Sequence, residues 1–350
     1  MVHRNDTTFQ PPIFRPHRIW RGGHLQTIAT IGEDRSIGLS PTPIRVPVSD
    51  GDSIVLHEDL AKGDLAKPVS SGGDSPGSVL LVHGLTGCHA APYMTRLADR
   101  FARLGMRVYR MDMRGFGAAK DFSTNLAHAG RSDDCLSAIS MIADRNPDGP
   151  IFAIGVSLGG GQLLRGMGRI GGGIDAEPEW IDRFAGLVAI SPPLNLTCCS
   201  DNMQRLRLRL YNRYFIRSLL SRIPPGVRAR EDFAACIAAP RPRTLRELDD
   251  RFTAPLSGFA DAAAYYDASS SCHVVDSIGV NTLVLTAADD PIVPVECFIN
   301  ARQAWSPTTQ LIVSPSGGHA GFIDRQRRSW MDEVVLGWVT AAMEQRIRHS

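Results

Sequence analysis

Long apolar runs are missing from this 350-residue chain. No stretch reaches the roughly 18 apolar residues of a spanning helix, so none is expected. Charge of one sign is missing as well. The 38 basic and 36 acidic residues leave a net charge of +2, which excludes a nucleic-acid binder that works through its whole surface. Lysine is scarce: Lys62, Lys67 and Lys120 are three of those 38, a bias to which no mechanism attaches. Cys-x-x-Cys does not occur, and the seven cysteines are odd in number and scattered. A disulfide framework and a zinc site are therefore not expected, including at Cys198-Cys199, and a reducing cytoplasm is the expected location. The segment from Met1 to Gln10 is polar and lacks the apolar centre of a signal peptide. Aromatics make up 7%, apolar residues 43% and charged residues 21%, a balance that excludes disorder, collagen and coiled coil and fits a globular enzyme.

What is present is an alternation. Residues 44–60 read as two strands around Asp50-Gly51, a hairpin signal. Residues 61–78, rich in Gly, Ser, Pro and Asp, read as a surface loop. Short apolar runs at 79–82, 107–111, 151–154, 187–190, 282–286 and 311–313 read as buried strands. Helical spacing falls between them. In residues 92–104 it puts Tyr93, Leu97, Phe101 and Leu104 on one face. In 132–144 Ser132 is the expected cap, with Asp133 and Asp134 in the first turn. Residues 159–168 read as a helix, and 325–346 as a long closing one. The alternation predicts an α/β fold, a mostly parallel sheet of about eight strands with helices on both faces. From about 195 to 272 it breaks. That stretch is helical and Arg-rich (Arg205, Arg207, Arg209, Arg213, Arg217, Arg222) and reads as a cap inserted into a core of 41–194 and 273–350. Residues 1–40 read as an extension packed on that core.

Gly155-Val156-Ser157-Leu158-Gly159 lies between a strand and a helix. Small residues are needed there because the turn is too tight for bulk, and the serine hydroxyl then projects above the sheet edge. A serine needs a base to take its proton. His319, in a Gly-rich loop after the last strand, is the candidate. A carboxylate must hold the imidazole in one tautomer. Asp290 is preferred because it stands directly before Pro291-Ile292-Val293-Pro294; Asp289 is the fallback, with a turn or surface role otherwise. Serine, acid and histidine follow in the order expected of an α/β-hydrolase. The oxyanion donors expected are the backbone N–H groups of Leu158 and of Leu85, in His83-Gly84-Leu85-Thr86-Gly87. His83 is expected to shape that loop, and His24 and His128 to be satisfied structural histidines. Asp112 and Arg114 are expected to pair and hold the loop after their strand.

These motifs resemble the YheT-like branch of the α/β-hydrolase superfamily. The resemblance runs from Trp20 to Trp338. It rests also on Gly23-His24-Leu25-Gln26-Thr27, Arg114-Gly115-Phe116-Gly117, His128-Ala129-Gly130 and Gly317-Gly318-His319-Ala320-Gly321-Phe322. It implies a serine esterase or lipase acting on short- to medium-chain acyl esters through an acyl-enzyme, with no metal or organic cofactor. Some relatives are phospholipases or move acyl groups from acyl-CoA to alcohols. Some also begin with a membrane anchor, which is not expected here.

Leu206, Leu208, Leu210, Phe215, Ile216 and Leu219 are expected to roof the acyl pocket. The arginines among them read as a solvated face, so membrane contact through the cap is not expected. A small acyl ester is the expected partner. An acyltransferase using the same acyl-enzyme is the rival among enzymes, and a non-catalytic binding protein the rival outside them. An epoxide hydrolase or dehalogenase would want a carboxylate where Ser157 stands, and no feature favours amides.

Overall fold

The computed structural model describes residues 9–29, 39–60, 77–299 and 305–349. Its centre is one eight-stranded sheet in the order β1-β2-β4-β3-β5-β6-β7-β8. The strands are β1 (Thr42–Pro47), β2 (Ser53–Asp59), β3 (Ser78–Val82), β4 (Arg107–Asp112), β5 (Ile151–Val156), β6 (Phe184–Ile190), β7 (Thr282–Ala287) and β8 (Thr309–Ser314). β1 and β2 form the antiparallel hairpin around Asp50-Gly51, β2 pairs antiparallel with β4, and every other pairing is parallel. The predicted surface loop is outside the described residues over 61–76, and Ser78 already belongs to β3.

Alternation along the strands sorts the core into two layers. Leu80 and Val82 of β3 pack with α3 (Ser132–Arg145) and α4 (Leu158–Gly171). Val79 and Leu81 pack on the other side, with α2 (Pro92–Arg103) and α13 (Trp330–His349). A strand covered on both faces has no polar side to show, which is why Val79 to Val82 is wholly apolar. The shortest strand is five residues.

Local details depart from expectation in three places. Ser132 is not the cap of α3: Arg131 takes that position without a side-chain bond, and the Ser132 hydroxyl accepts from Arg165 at 2.7 Å. Leu104 does not continue the apolar face of α2; it ends the helix and is exposed. The closing helix begins at Trp330 rather than 325, because Asp324 collects the N–H groups of Gln326 and Arg328 into a turn and Ile323 bridges to Ser329.

Between β6 and β7 the chain leaves the sheet for short helices, α5 (Leu196–Met203), α6 (Arg209–Arg222), α7 (Pro225–Arg228), α8 (Phe233–Ile237), α9 (Leu245–Leu248), α10 (Ala254–Leu256) and α11 (Ala262–Ser269). A π-helical turn, Asp249–Thr253, joins α9 to α10. α12 (Glu296–Ile299) follows β7. Ahead of the sheet, α1 (Gly23–Ala29) lies against the 318–323 loop, and Phe9 and Phe14 pack on the α13 side of the core. Among the described residues no helix is long and apolar enough to cross a membrane.

Candidate active site

The strand order jumps at β3: the chain runs from β3 to β4 on one side and returns to β5 on the other. Loops diverge at such a switch point and leave a crevice over the strand ends. Ser157 stands there, between β5 and α4, with φ 52° and ψ −118°. This left-handed conformation is strained for a residue with a Cβ. The glycines beside it follow from space. A Cβ on Gly155 would stand 2.5 Å from the Gly159 carbonyl carbon, and one on Gly159 would stand 2.7 Å from Val82. The α4 N-terminus begins at the next residue and favours negative charge.

His319 Nε2 lies 2.8 Å from Ser157 Oγ, and His319 Nδ1 lies 2.8 Å from Asp290 Oδ2. The other oxygen of Asp290 accepts from the N–H groups of Ile292 and Val293 at 2.8 and 3.0 Å. With Nδ1–H donating to a buried carboxylate, Nε2 is left as an acceptor for the serine proton. Asp289 has other work: its Oδ1 accepts from the Gly318 N–H at 2.9 Å and so steadies the loop that carries His319.

Leu85 and Leu158 face the same crevice, and among the described residues no protein acceptor takes either N–H. Gly84 brings the Leu85 loop against the nucleophile, since a Cβ there would meet Ser157 Cβ at 3.1 Å. The Gly84 N–H donates to the Tyr93 hydroxyl at 2.8 Å. His83 is fully engaged: Nδ1–H donates to Gly84 O at 2.8 Å, and Nε2 accepts from the Met113 N–H at 3.3 Å. Burial pushes its pKa down, so the ring stays neutral and shapes the loop, as expected.

Sequence reasoning missed the function of Gly23 to Thr27. Thr27 Oγ1 accepts the His319 N–H at 2.8 Å while donating to Gly23 O at 2.7 Å. Gln26 spans the same loop, accepting from the Ile323 N–H at 2.7 Å and donating to Ile323 O at 3.1 Å. Two glycines permit the approach: a Cβ on Gly318 or Gly321 would stand 2.3 or 2.4 Å from a carbonyl oxygen of α1. Gly23-His24-Leu25-Gln26-Thr27 stands out in the sequence only as part of the family resemblance, and nothing local tells which loop it meets. His24 is exposed and its Nδ1 lies 3.3 Å from the Tyr211 hydroxyl.

Asp112 and Arg114 do not pair with each other. Arg114, wholly buried, bonds Asp134, Asp50 and Asp52. Asp112 accepts from His57 and His89 on one oxygen, at 2.9 and 2.8 Å. Burial works to raise the Asp112 pKa, but these bonds outweigh it and hold the carboxyl well below its usual range. Two histidines and a carboxylate look like metal ligands. Their rings, however, stack 3.5 Å apart and nearly parallel. Both ring nitrogens reach the one Asp112 oxygen as hydrogen-bond donors. The cluster is a hydrogen-bonded clamp on the chain just past the Leu85 loop.

A cavity of about 590 Å³ opens over Ser157 and His319. Its walls are largely apolar, and Phe215, Leu219, Leu220 and Phe252 come from the 195–272 segment. Of the six residues expected to roof it, Phe215 and Leu219 do. Leu208 and Ile216 are buried among the helices, while Leu206, in the turn before α6, and Leu210, in its first turn, are each 79% exposed. The arrangement can activate a hydroxyl, hold an apolar chain and stabilise a developing oxyanion.

The family model for serine aminopeptidase S33 (Hydrolase_4) matches residues 73–326, well over half the chain. YheT of Escherichia coli (strain K12) is 26% identical over 338 residues, spanning 95% of this chain and 94% of YheT. Phospholipase ABHD3 of Bos taurus is 26% identical over 306 residues, 85% of this chain and 71% of that protein. Among solved structures, the Pyrococcus furiosus esterase Pf2001 superposes with a TM-score of 0.57 at 14% identity, over 97% of this chain and 99% of that one, which shows the shared fold. The chain belongs to the serine aminopeptidase S33 family of α/β-hydrolases and is similar to YheT over 95% of its length.

Proposed function

We propose that the protein is a serine hydrolase of carboxylic esters with short- to medium-chain acyl groups. The observation that carries this reading is the continuous pair of 2.8 Å contacts from Ser157 through His319 to Asp290, set in the floor of an apolar cavity. Ser157 Oγ attacks the ester carbonyl as His319 Nε2 takes its proton. The oxyanion receives the N–H groups of Leu85 and Leu158. His319 then gives the proton to the departing alcohol, leaving the acyl group on Ser157. Water, deprotonated by His319, releases the acid and restores the serine. Electrons and protons balance with substrate and water alone. Residues 195–272 serve as the cap over the acyl site, and 1–40 as an extension on the core.

An aminopeptidase would need a free carboxylate for the substrate ammonium. Asp249 is the acidic group among the described cavity-lining residues, and both its oxygens already accept, from Thr253 and Tyr266 at 2.7 Å each. That supports esters over aminoacyl substrates. The seven cysteines are free, which fits action in a reducing cytoplasm.

The test is hydrolysis of p-nitrophenyl esters from acetate to palmitate by wild type and Ser157→Ala. A band of cleaved chain lengths, abolished in the variant, supports the reading. No cleavage by wild type, or cleavage that survives the variant, overturns it. Repeating the assay in mixed water and ethanol separates hydrolysis from acyl transfer by the ratio of acid to ethyl ester.

A further inference from the structure

His128 stands apart from the other buried histidines. It is 7% exposed and lines the same cavity as Ser157. Its Nδ1 lies 3.1 Å from the Gly130 N–H. A backbone N–H can only donate, so Nδ1 is the acceptor and carries no proton. Burial, aided by the nearby Arg131, Arg114 and Arg165, pushes the pKa of the ring down to about 3, so the ring is neutral at working pH. The remaining proton is therefore on Nε2. No acceptor among the described residues takes it, Nε2 keeps accessible surface, and the residue lines the cavity. The expectation of a satisfied structural histidine fails at this one atom.

The ring is also held firmly. Phe259 and Tyr265 meet it edge to face, with centroids 5.6 Å away in each case. Its carbonyl accepts from Gln162 Nε2 at 2.9 Å, and Gln162 sits on α4 five residues after Ser157. The donor is thus rigidly referenced to the nucleophile helix. An apolar cavity that held only hydrocarbon would leave this N–H desolvated and unpaired, a cost with no return.

We propose that the cavity is built for esters bearing a second oxygen function, a carbonyl, ether or hydroxyl oxygen away from the scissile bond, which accepts a hydrogen bond from His128 Nε2–H. The proposal names the substrate class of the site and rests on Ser157 acting there. His128 is then a specificity-determining residue. A site with a fixed donor discriminates against an isostere that lacks the acceptor far more strongly than an apolar pocket discriminates between sizes.

The experiment compares isosteric pairs. One series sets p-nitrophenyl octanoate against analogues with a single chain methylene replaced by an ether oxygen or a ketone, moved along the chain. The other sets glyceryl monooctanoate, with its two hydroxyls, against propyl octanoate, which places the extra oxygens on the alcohol side. Wild type should prefer an oxygenated member by tenfold or more in kcat/KM in one series. His128→Phe should bring that ratio to within about twofold of unity, whatever happens to the absolute rates. His128→Gln, which keeps an N–H near the Nε2 position, should retain part of the preference. The same pairs titrated into Ser157→Ala by calorimetry should show the same ranking in Kd, and this arm reads the donor even if the ester chemistry assigned to Ser157 fails. No preference in either series, or a preference that survives His128→Phe, overturns the proposal.

Discussion

Thr27 accepts the backbone N–H of His319 across 292 positions of sequence, at 2.8 Å. The residue that presents the imidazole to Ser157 is thus held by a helix that precedes the whole sheet. Thr27→Val keeps the shape and removes the acceptor. A buried N–H left unpaired costs about 1–3 kcal/mol, and the expected result is a kcat reduced tenfold or more. Thr27→Ser restores the acceptor and should recover most of it. Steady-state kinetics on both variants is the check.

Asp290 and Asp289 are neighbours with separate tasks. Asp290→Asn removes the charge that stabilises the imidazolium and permits the wrong tautomer, so kcat should fall by roughly 10³–10⁴-fold. Asp289→Asn keeps an oxygen for the Gly318 N–H and should lose less than tenfold. Equal losses would show that the geometry at His319 does not decide which carboxylate matters.

Asp249 makes stability depend on pH. Burial lifts its pKa from 3.8 to about 6, against the hydrogen bonds from Thr253 and Tyr266. The folded state therefore holds a proton that the unfolded state has already released between those two values. Stability falls as pH rises through that window, and the deficit is complete above about pH 6. Its size is about 1–3 kcal/mol, trimmed because the carboxyl faces the cavity. Asp249→Asn should flatten this part of the profile, measured as Tm from pH 4 to 7.

Gly155 has no room for a side chain. Alanine there would put a carbon 2.5 Å from the backbone of Gly159 and Gly160. Backbone cannot rotate away, so α4 must shift. A loss of about 1–3 kcal/mol in stability is expected from overpacking, with activity falling further because Ser157 moves with the helix. Thermal melts and kcat/KM together test this.

What the sequence showed, and what it hid, divides by range. Strands such as Val79–Val82 were legible because a sheet covered on both faces leaves a continuous apolar run. The order of Ser157, Asp290 and His319 was legible because each follows a strand at the same sheet edge. The partners of Arg114 were not: Asp50, Asp52 and Asp134 come from a hairpin turn and from α3, and a nearby Asp112 looked the better match. The roof of the cavity was legible only in part, since the apolar residues of 206–219 were visible but the facing of α6 and of the turn before it, which exposes Leu210 and Leu206, was not. Ser132 fits the composition of a cap, yet Arg165 claims its hydroxyl. His128 read as a structural histidine because its surplus proton appears only once Gly130 is seen to occupy the other nitrogen.

The contact between α1 and the His319 loop also bears on the order of synthesis. A ribosome makes the brace first, the serine midway and the histidine late. Until the 317–323 loop has emerged, Ser157 sits on its elbow without a base, and Thr27 and Gln26 have nothing to grip. A nascent chain that has already assembled β1 to β7 therefore carries an unarmed serine. On the function proposed above, the joining of α1 to the 317–323 loop marks the moment at which Ser157 gains its base, so a chain stalled before that loop would be harmless to the esters around it.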